Sequence, residues 1–186
     1  GDDDDLITVN LANNAATTIQ IDGGAPSASD RVIIRGTPED DVLALEGSTF
    51  SFDLTTVTFT AVENVSLAGG DGDDTLTVAG TAFSGDVELL GEAGDDAIYL
   101  NAPLTAGSLR ADGGGGDGDA LFVRTADSGE TVLLSADSIA VSGQTTIAYF
   151  GFEDLSLDTM DGDDLLTVSG THAGRTRLVT GSGADT

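Results

Sequence analysis

Cysteine, tryptophan and lysine are absent from this chain, and histidine and methionine occur once each. Without cysteine there is no disulfide staple and no thiolate metal site. All six bases are arginines (Arg31, Arg35, Arg110, Arg124, Arg175 and Arg177), facing 33 acids for a formal charge of −27. No basic patch is available to displace phosphate counterions, which excludes nucleic acid and argues against anionic membrane surfaces. Long apolar runs are missing too, so no membrane insertion is expected. The lone His172 aligns with Ala82 in the internal repeat described below and is expected to be a surface residue. With no histidine cluster and no nucleophile motif, the chain is not expected to be an enzyme. It opens inside a repeat at Gly1-Asp2, as an excised piece would, so missing targeting signals exclude nothing.

What is present is glycine, aspartate and short aliphatic runs. There are 26 Gly, and Asp outnumbers Glu by 26 to 7. A merely solvated acidic surface would use Glu freely; short Asp side chains beside Gly suit hard-cation coordination from a tight loop. Aromatics are 5% and apolar residues 39%. This is too apolar for disorder and has the profile of a narrow core of small aliphatic side chains. Triplets such as Leu76-Thr77-Val78 have a local period of two, which predicts strands. The segments Leu76–Val78 and Val87–Leu90 are expected to be strands separated by a bend at Thr81–Gly85.

Repeats organise the whole chain. Residues 57–81 align without gaps on residues 147–171 at an offset of 90, with Glu63 meeting Glu153 and Asp71–Asp74 meeting Asp161–Asp164. The expected units are 1–90 and 91–180, with 181–186 starting a third. A shorter period lies inside each unit. The last Asp of successive corners is 22 residues apart from 74 to 96 and 23 apart from 96 to 119; the step from 119 to 164 is 45, twice that. Each unit is therefore expected to hold four coils of about 22 residues, with one coil in four lacking its acidic corner. Such coils predict an all-β fold, a right-handed parallel β-helix (a β-roll-like solenoid) of about eight coils.

Gly69 to Thr77 (GGDGDDTLT) fits the nonapeptide G-G-x-G-x-D-x-U-x and resembles the RTX, or haemolysin-type, calcium-binding repeat. Gly91 to Tyr99 fits except at Glu92, and Thr159 to Thr167 keeps Gly162, Asp164 and Leu166 but has Thr159 and Met160 where glycines open the motif. The resemblance implies Ca²⁺ bound by backbone carbonyls and the sixth-position aspartates, here Asp74, Asp96, Asp164 and, by a truncated match, Asp185. One motif per coil, where RTX rolls repeat every nine residues, leads to the expectation of a single metal-binding corner column. The residues point the same way, since double acids in register would repel unless a cation lay between them. The candidate metal residues are Asp5, Asp30, Gly70, Asp71, Gly72, Asp73, Asp74, Gly94, Asp95, Asp96, Asp117, Asp119, Asp161, Asp163, Asp164 and Asp185. Asp41 and Asp137, which lack the glycines, are taken as solvated acids. Arg35 and Arg124, at equivalent places after a strand, are expected to form ion pairs.

These features lead to an expected function: a calcium-stabilised structural segment of a large secreted or cell-surface protein. Its partners would be calcium ions and neighbouring repeats or copies of itself stacked end to end. An extracellular filament built by that stacking, or an adhesin stalk, is the alternative.

Overall fold

A computed structural model describes residues 4–12, 16–24, 29–81 and 83–186. Gly1-Asp2 and Ala82, within the expected bend, lie outside the described residues. Eighteen strands and no helix make up the described chain. The first nine are β1 (Leu6–Asn10), β2 (Thr17–Asp22), β3 (Arg31–Arg35), β4 (Val42–Glu46), β5 (Thr49–Phe52), β6 (Thr55–Thr60), β7 (Asn64–Asp71), β8 (Thr75–Thr81) and β9 (Asp86–Ala93). The second nine are β10 (Ala97–Leu104), β11 (Ser108–Asp112), β12 (Ala120–Arg124), β13 (Thr131–Leu134), β14 (Ser138–Val141), β15 (Ile147–Phe150), β16 (Asp154–Asp158), β17 (Leu165–Val168) and β18 (Arg175–Val179).

The strands form two nine-stranded mixed sheets. Sheet A runs β1-β3-β7-β9-β11-β15-β14-β13-β17, and sheet B runs β18-β16-β12-β10-β8-β4-β5-β6-β2. Most neighbours are parallel, so the chain must cross from one sheet to the other and back before it can pair with itself. Alternation decides which side chains go inward. In sheet B, Leu43, Leu76, Ile98, Leu121 and Leu155 are in register from strand to strand, and each is at most 2% exposed. In sheet A, Val32, Val65, Val87 and Leu109 do the same. One hydrophobic cluster joins both sets, so the period of two in the sequence becomes a shared core.

The expectation of four equal coils per unit is corrected by two antiparallel meanders. β4, β5 and β6 pair antiparallel within sheet B, and β13, β14 and β15 do so within sheet A. Here the chain reverses inside one sheet instead of crossing. Gly47, at φ 58°, and Asp53, at φ 47°, supply the left-handed residues of the two tight turns; such residues match a hairpin turn to strand twist. Phe50, Phe52 and Phe59 fill the space beneath the first meander. The corner expected to be missing from each unit is therefore a meander, not an unmarked coil. A second consequence concerns sides. From β1 to β10 the chain changes sheet seven times: β1 to β2, β2 to β3, β3 to β4, β6 to β7, β7 to β8, β8 to β9 and β9 to β10. An odd number puts repeat-related strands in opposite sheets, β1 in A and β10 in B.

Candidate functional site

The acidic corners sit where strands hand over between sheets. Asp74, Asp96 and Asp119 end connections from sheet A to sheet B, before β8, β10 and β12; Asp30 and Asp164 end connections from B to A, before β3 and β17. The single column expected from the sequence is thus two sets of corners, because seven crossings per unit exchange the sheets. Asp5 and Asp30 belong to the B-to-A set and not with Asp74, Asp96 and Asp119.

Within each set the carboxylates form a ladder with the backbone. The N–H of Asp41 donates to Asp74 Oδ1, that of Asp74 to Asp96 Oδ1 and that of Asp96 to Asp119 Oδ1, each at 2.8 Å. The Asp119 N–H then donates to Glu153 Oε2 at 3.0 Å. The other set holds Asp5 N–H to Asp30 Oδ1 (2.7 Å), Asp30 N–H to Glu63 Oε2 (3.0 Å), Glu130 N–H to Asp164 Oδ1 (2.8 Å) and Asp164 N–H to Asp185 Oδ1 (3.1 Å). The exposed aspartates one position earlier sew the corners together in the opposite sense. Asp40 Oδ1 accepts from Asp73 N–H, Asp73 Oδ1 from Asp95 N–H, and Asp95 Oδ1 from Asp117 N–H. Asp161 and Asp163 likewise accept the N–H groups of Ser182 and Ala184. Asp71 is exposed.

The buried aspartates are half satisfied. Asp74, Asp96, Asp119 and Asp164 are at most 2% exposed, and the second carboxylate oxygen of each, Oδ2, is buried with no hydrogen-bond partner. Glycine creates the space these oxygens occupy. A Cβ at Gly69 would run into Asp74 Oδ2 and come within 2.8 Å of the Gly91 carbonyl oxygen. At Gly91 it would strike Asp96 Oδ2 and the Gly113 carbonyl oxygen. Each such corner therefore brings a carboxylate oxygen and a carbonyl oxygen from the next corner to one spot, with no donor between them. Loss of water on burial pushes the Asp74 carboxyl up from 3.8 to about 7, against the opposing N–H bond from Asp41 and with the charges of Asp96, Asp41 and Asp40 adding to the rise. Burial likewise lifts Asp96 to about 6 and raises Asp119.

Backbone conformation separates these corners from two others. Gly70 and Gly72 have φ of 122° and 111°, a pair of left-handed residues flanking Asp71. The pair persists where the motif loses glycine: Glu92 (φ 77°) with Gly94 (φ 134°), and Met160 (φ 61°) with Gly162 (φ 144°). Holding a non-glycine residue there costs about 1–2 kcal/mol, so the turn shape is imposed by its surroundings. Thr37 and Ala126, at the corresponding places before Asp41 and Glu130, are not left-handed. There the acids are satisfied. Thr37 N–H and Oγ1 donate to Asp41 Oδ2 and Oδ1 at 2.5 and 3.0 Å, and Thr125 and Ser128 hydroxyls donate to Glu130 at 3.0 and 2.5 Å.

Asp41, expected to be solvated, is 3% exposed and part of the ladder. Its sequence signal was present: Asp40-Asp41-Val42-Leu43 repeats the Asp73-Asp74-Thr75-Leu76 pattern without the glycines. Glu63, Glu130 and Glu153 are further members, with glutamate in place of the aspartate that marks the other corners. Asp137 is exposed as expected. His172 is partly exposed, edge-on to Tyr149 at 6.1 Å. Arg35 pairs with Glu92 at 3.6 Å and Arg124 with Asp158 at 3.9 Å.

Among the described residues, no three His, Cys, Asp or Glu side chains gather into one metal site. A cation at a corner would take single carboxylate oxygens and backbone carbonyls. No helix is long and apolar enough to cross a membrane. Comparison with protein-family models, curated proteins and solved structures finds no match to this chain.

Proposed function

We propose that this chain is a calcium-stabilised structural segment, with its two sheets forming the walls of a parallel β-helix and its corners holding Ca²⁺ between successive coils. The observation that carries the reading is the contrast between two kinds of corner. Asp41, beside Thr37, has donors for both oxygens, and Glu130 has the Ser128 hydroxyl on one oxygen and the Thr125 hydroxyl, shared with the Thr159 carbonyl, beside the other. Asp74, Asp96, Asp119 and Asp164, in corners with a left-handed second residue, each keep one buried oxygen without a donor. An ionised buried carboxylate facing a carbonyl oxygen is costly without a positive partner. A hard cation with about six to eight oxygen ligands, many of them carbonyls, supplies that partner. Asp74, Asp96, Asp119 and Asp164 would be its carboxylate ligands, with carbonyls such as those of Gly91 and Gly113 beside them.

Metal binding then couples to folding, because no such site exists in the unfolded chain. A charge of −27 on 186 residues opposes compaction unless cations neutralise it. This suits a secreted or cell-surface protein in millimolar calcium, where a metal takes the place of the missing disulfides. The test is circular dichroism with a chelator and with millimolar Ca²⁺: β signal and melting temperature should both rise with calcium, and identical curves would sink the proposal.

A specific observation supports end-to-end stacking as well. Val168 in β17 corresponds to Val78 in β8 at the repeat offset, yet Val168 is 45% exposed and Val78 0%; Leu178 of β18 is 39% exposed. These core-type side chains at the last strands of both sheets fit against a further repeat or a second copy. Analytical ultracentrifugation in Ca²⁺ should show association that Val168→Asp abolishes; a monomer at all concentrations would refute self-association.

A further inference from the structure

The outer face of sheet B carries a feature unrelated to the corners. Its middle row, read across β8, β10, β12, β16 and β18, is Thr77, Tyr99, Phe122, Ser156 and Arg177. On β8, β10, β12 and β16 the neighbours of these residues along the strand are core side chains, so the row points outward, and Arg177 continues it in register. Tyr99 and Phe122 stack face to face, with centroids 4.6 Å apart and planes at 8°. That separation matches the spacing between strands, so the rings stand upright, side by side along the row. One face of Phe122 is covered by Tyr99; the other looks over the small Ser156 towards Arg177.

Phe122 and Arg177 are two strand spacings apart, roughly 9.6 Å. A guest in contact with both at about 3.5–4.0 Å each leaves roughly 2 Å for its own corrugation. A puckered sugar ring, with hydrogens and hydroxyls standing off both faces, fills that space better than a flat heterocycle. Two adjoining cavities of about 650 and 450 Å³ share Phe122, Ser156 and Arg177. Charge narrows the guest further. Three of the six arginines (Arg124 on β12, Arg175 and Arg177 on β18) face outward here, against only Asp154 and Asp158 on the intervening β16, on a chain with 33 acids. Arg175 is taken up bidentately by Asp154 at 2.7 Å; Arg177 has no ion pair among the described residues. Arg124, with its long 3.9 Å contact to Asp158, and Asp158 itself flank the slot with groups suited to hydroxyls.

We propose that this slot binds a hexuronate residue of an acidic polysaccharide, its ring against Phe122 over Ser156 and its carboxylate on Arg177. The site is independent of the corner cations. The test titrates the full chain, at fixed Ca²⁺, with tetrasaccharides of galacturonate, mannuronate and glucuronate, and with neutral cellotetraose. At least one uronate should bind, and cellotetraose at least tenfold more weakly. Arg177→Gln, at an exposed position with no ion pair to lose, should weaken uronate binding about tenfold or more. Ser156→Tyr should close the slot, while Arg31→Gln, on the other sheet, should change nothing; melting curves check that each variant is folded. Three results would overturn the proposal: no uronate binding, equal binding of cellotetraose, or binding lost in Asp96→Asn but retained in Arg177→Gln. The last would mean that corner cations bridge the polyanion.

Discussion

Asp96→Asn separates the two things a buried carboxylate does at a corner. The amide keeps an oxygen to accept the Asp74 N–H and puts a donor where Oδ2 has none. Without a cation, the wild-type group is a liability, and the sign follows from its raised pKa. Below about pH 4 it is protonated in both folded and unfolded chains and costs nothing. Between 3.8 and about 6 the folded state retains a proton the unfolded chain has released, so stability falls as pH rises, and above 6 the penalty is complete. The shift from 3.8 to about 6 corresponds to about 3 kcal/mol, at about 1.36 kcal/mol per unit. In chelator at pH 8, Asp96→Asn should therefore stabilise the chain by up to about 3 kcal/mol, or about 6–12 °C in melting temperature, and at pH 4 by little. If the calcium-free wild type is mostly unfolded, the gain reads as recovered β signal. Calcium should reverse the order. At a free concentration a thousandfold above Kd a site contributes about 4.1 kcal/mol, more than the roughly 3 kcal/mol penalty, and the variant should lose that increment. Thermal melts at both pH values, with and without calcium, check all of this. A variant destabilised equally under all four conditions would refute the reasoning, because Asp96 would then be only an acceptor for its neighbour's N–H.

Substitutions at other positions respond differently. Gly91→Ala drives a Cβ into Asp96 Oδ2 and the Gly113 carbonyl oxygen and should cost about 3 kcal/mol by chemical denaturation; Gly47→Ala, with no atom within 4 Å at φ 58°, should cost only about 1 kcal/mol. Met160→Gly relieves a left-handed residue at φ 61° and should raise stability by about 1 kcal/mol in calcium; a loss would mean that the Met160 side chain outweighs its strain. Thr37→Val removes the hydroxyl donated to Asp41 Oδ1 and should cost about 1–2 kcal/mol, equally with and without calcium, since that corner supplies its own donors. A calcium-dependent cost there would contradict the division into two kinds of corner.

The chain's composition and periods determined a good deal by themselves. Alternation in Leu76-Thr77-Val78 and its repeats sets which side chains are buried, because a strand's faces exchange every residue. The Gly and Asp spacing located the corners, since left-handed backbone and short acceptors are local requirements of a tight turn. The 90-residue repeat was visible as identity. The sheet that each strand joins depends on how many times the chain crosses before it, a global count that two-residue turns at Gly47-Ser48 and Asp53-Leu54 alter. That count separated Asp30 and Asp164 from Asp74, Asp96 and Asp119. Only packing could show that Asp41 is buried with its own donors while Asp74 is buried without enough. The Tyr99, Phe122, Ser156, Arg177 row joins residues up to 78 positions apart. Strand register alone sets them side by side, one strand spacing apart, and no local pattern encodes it.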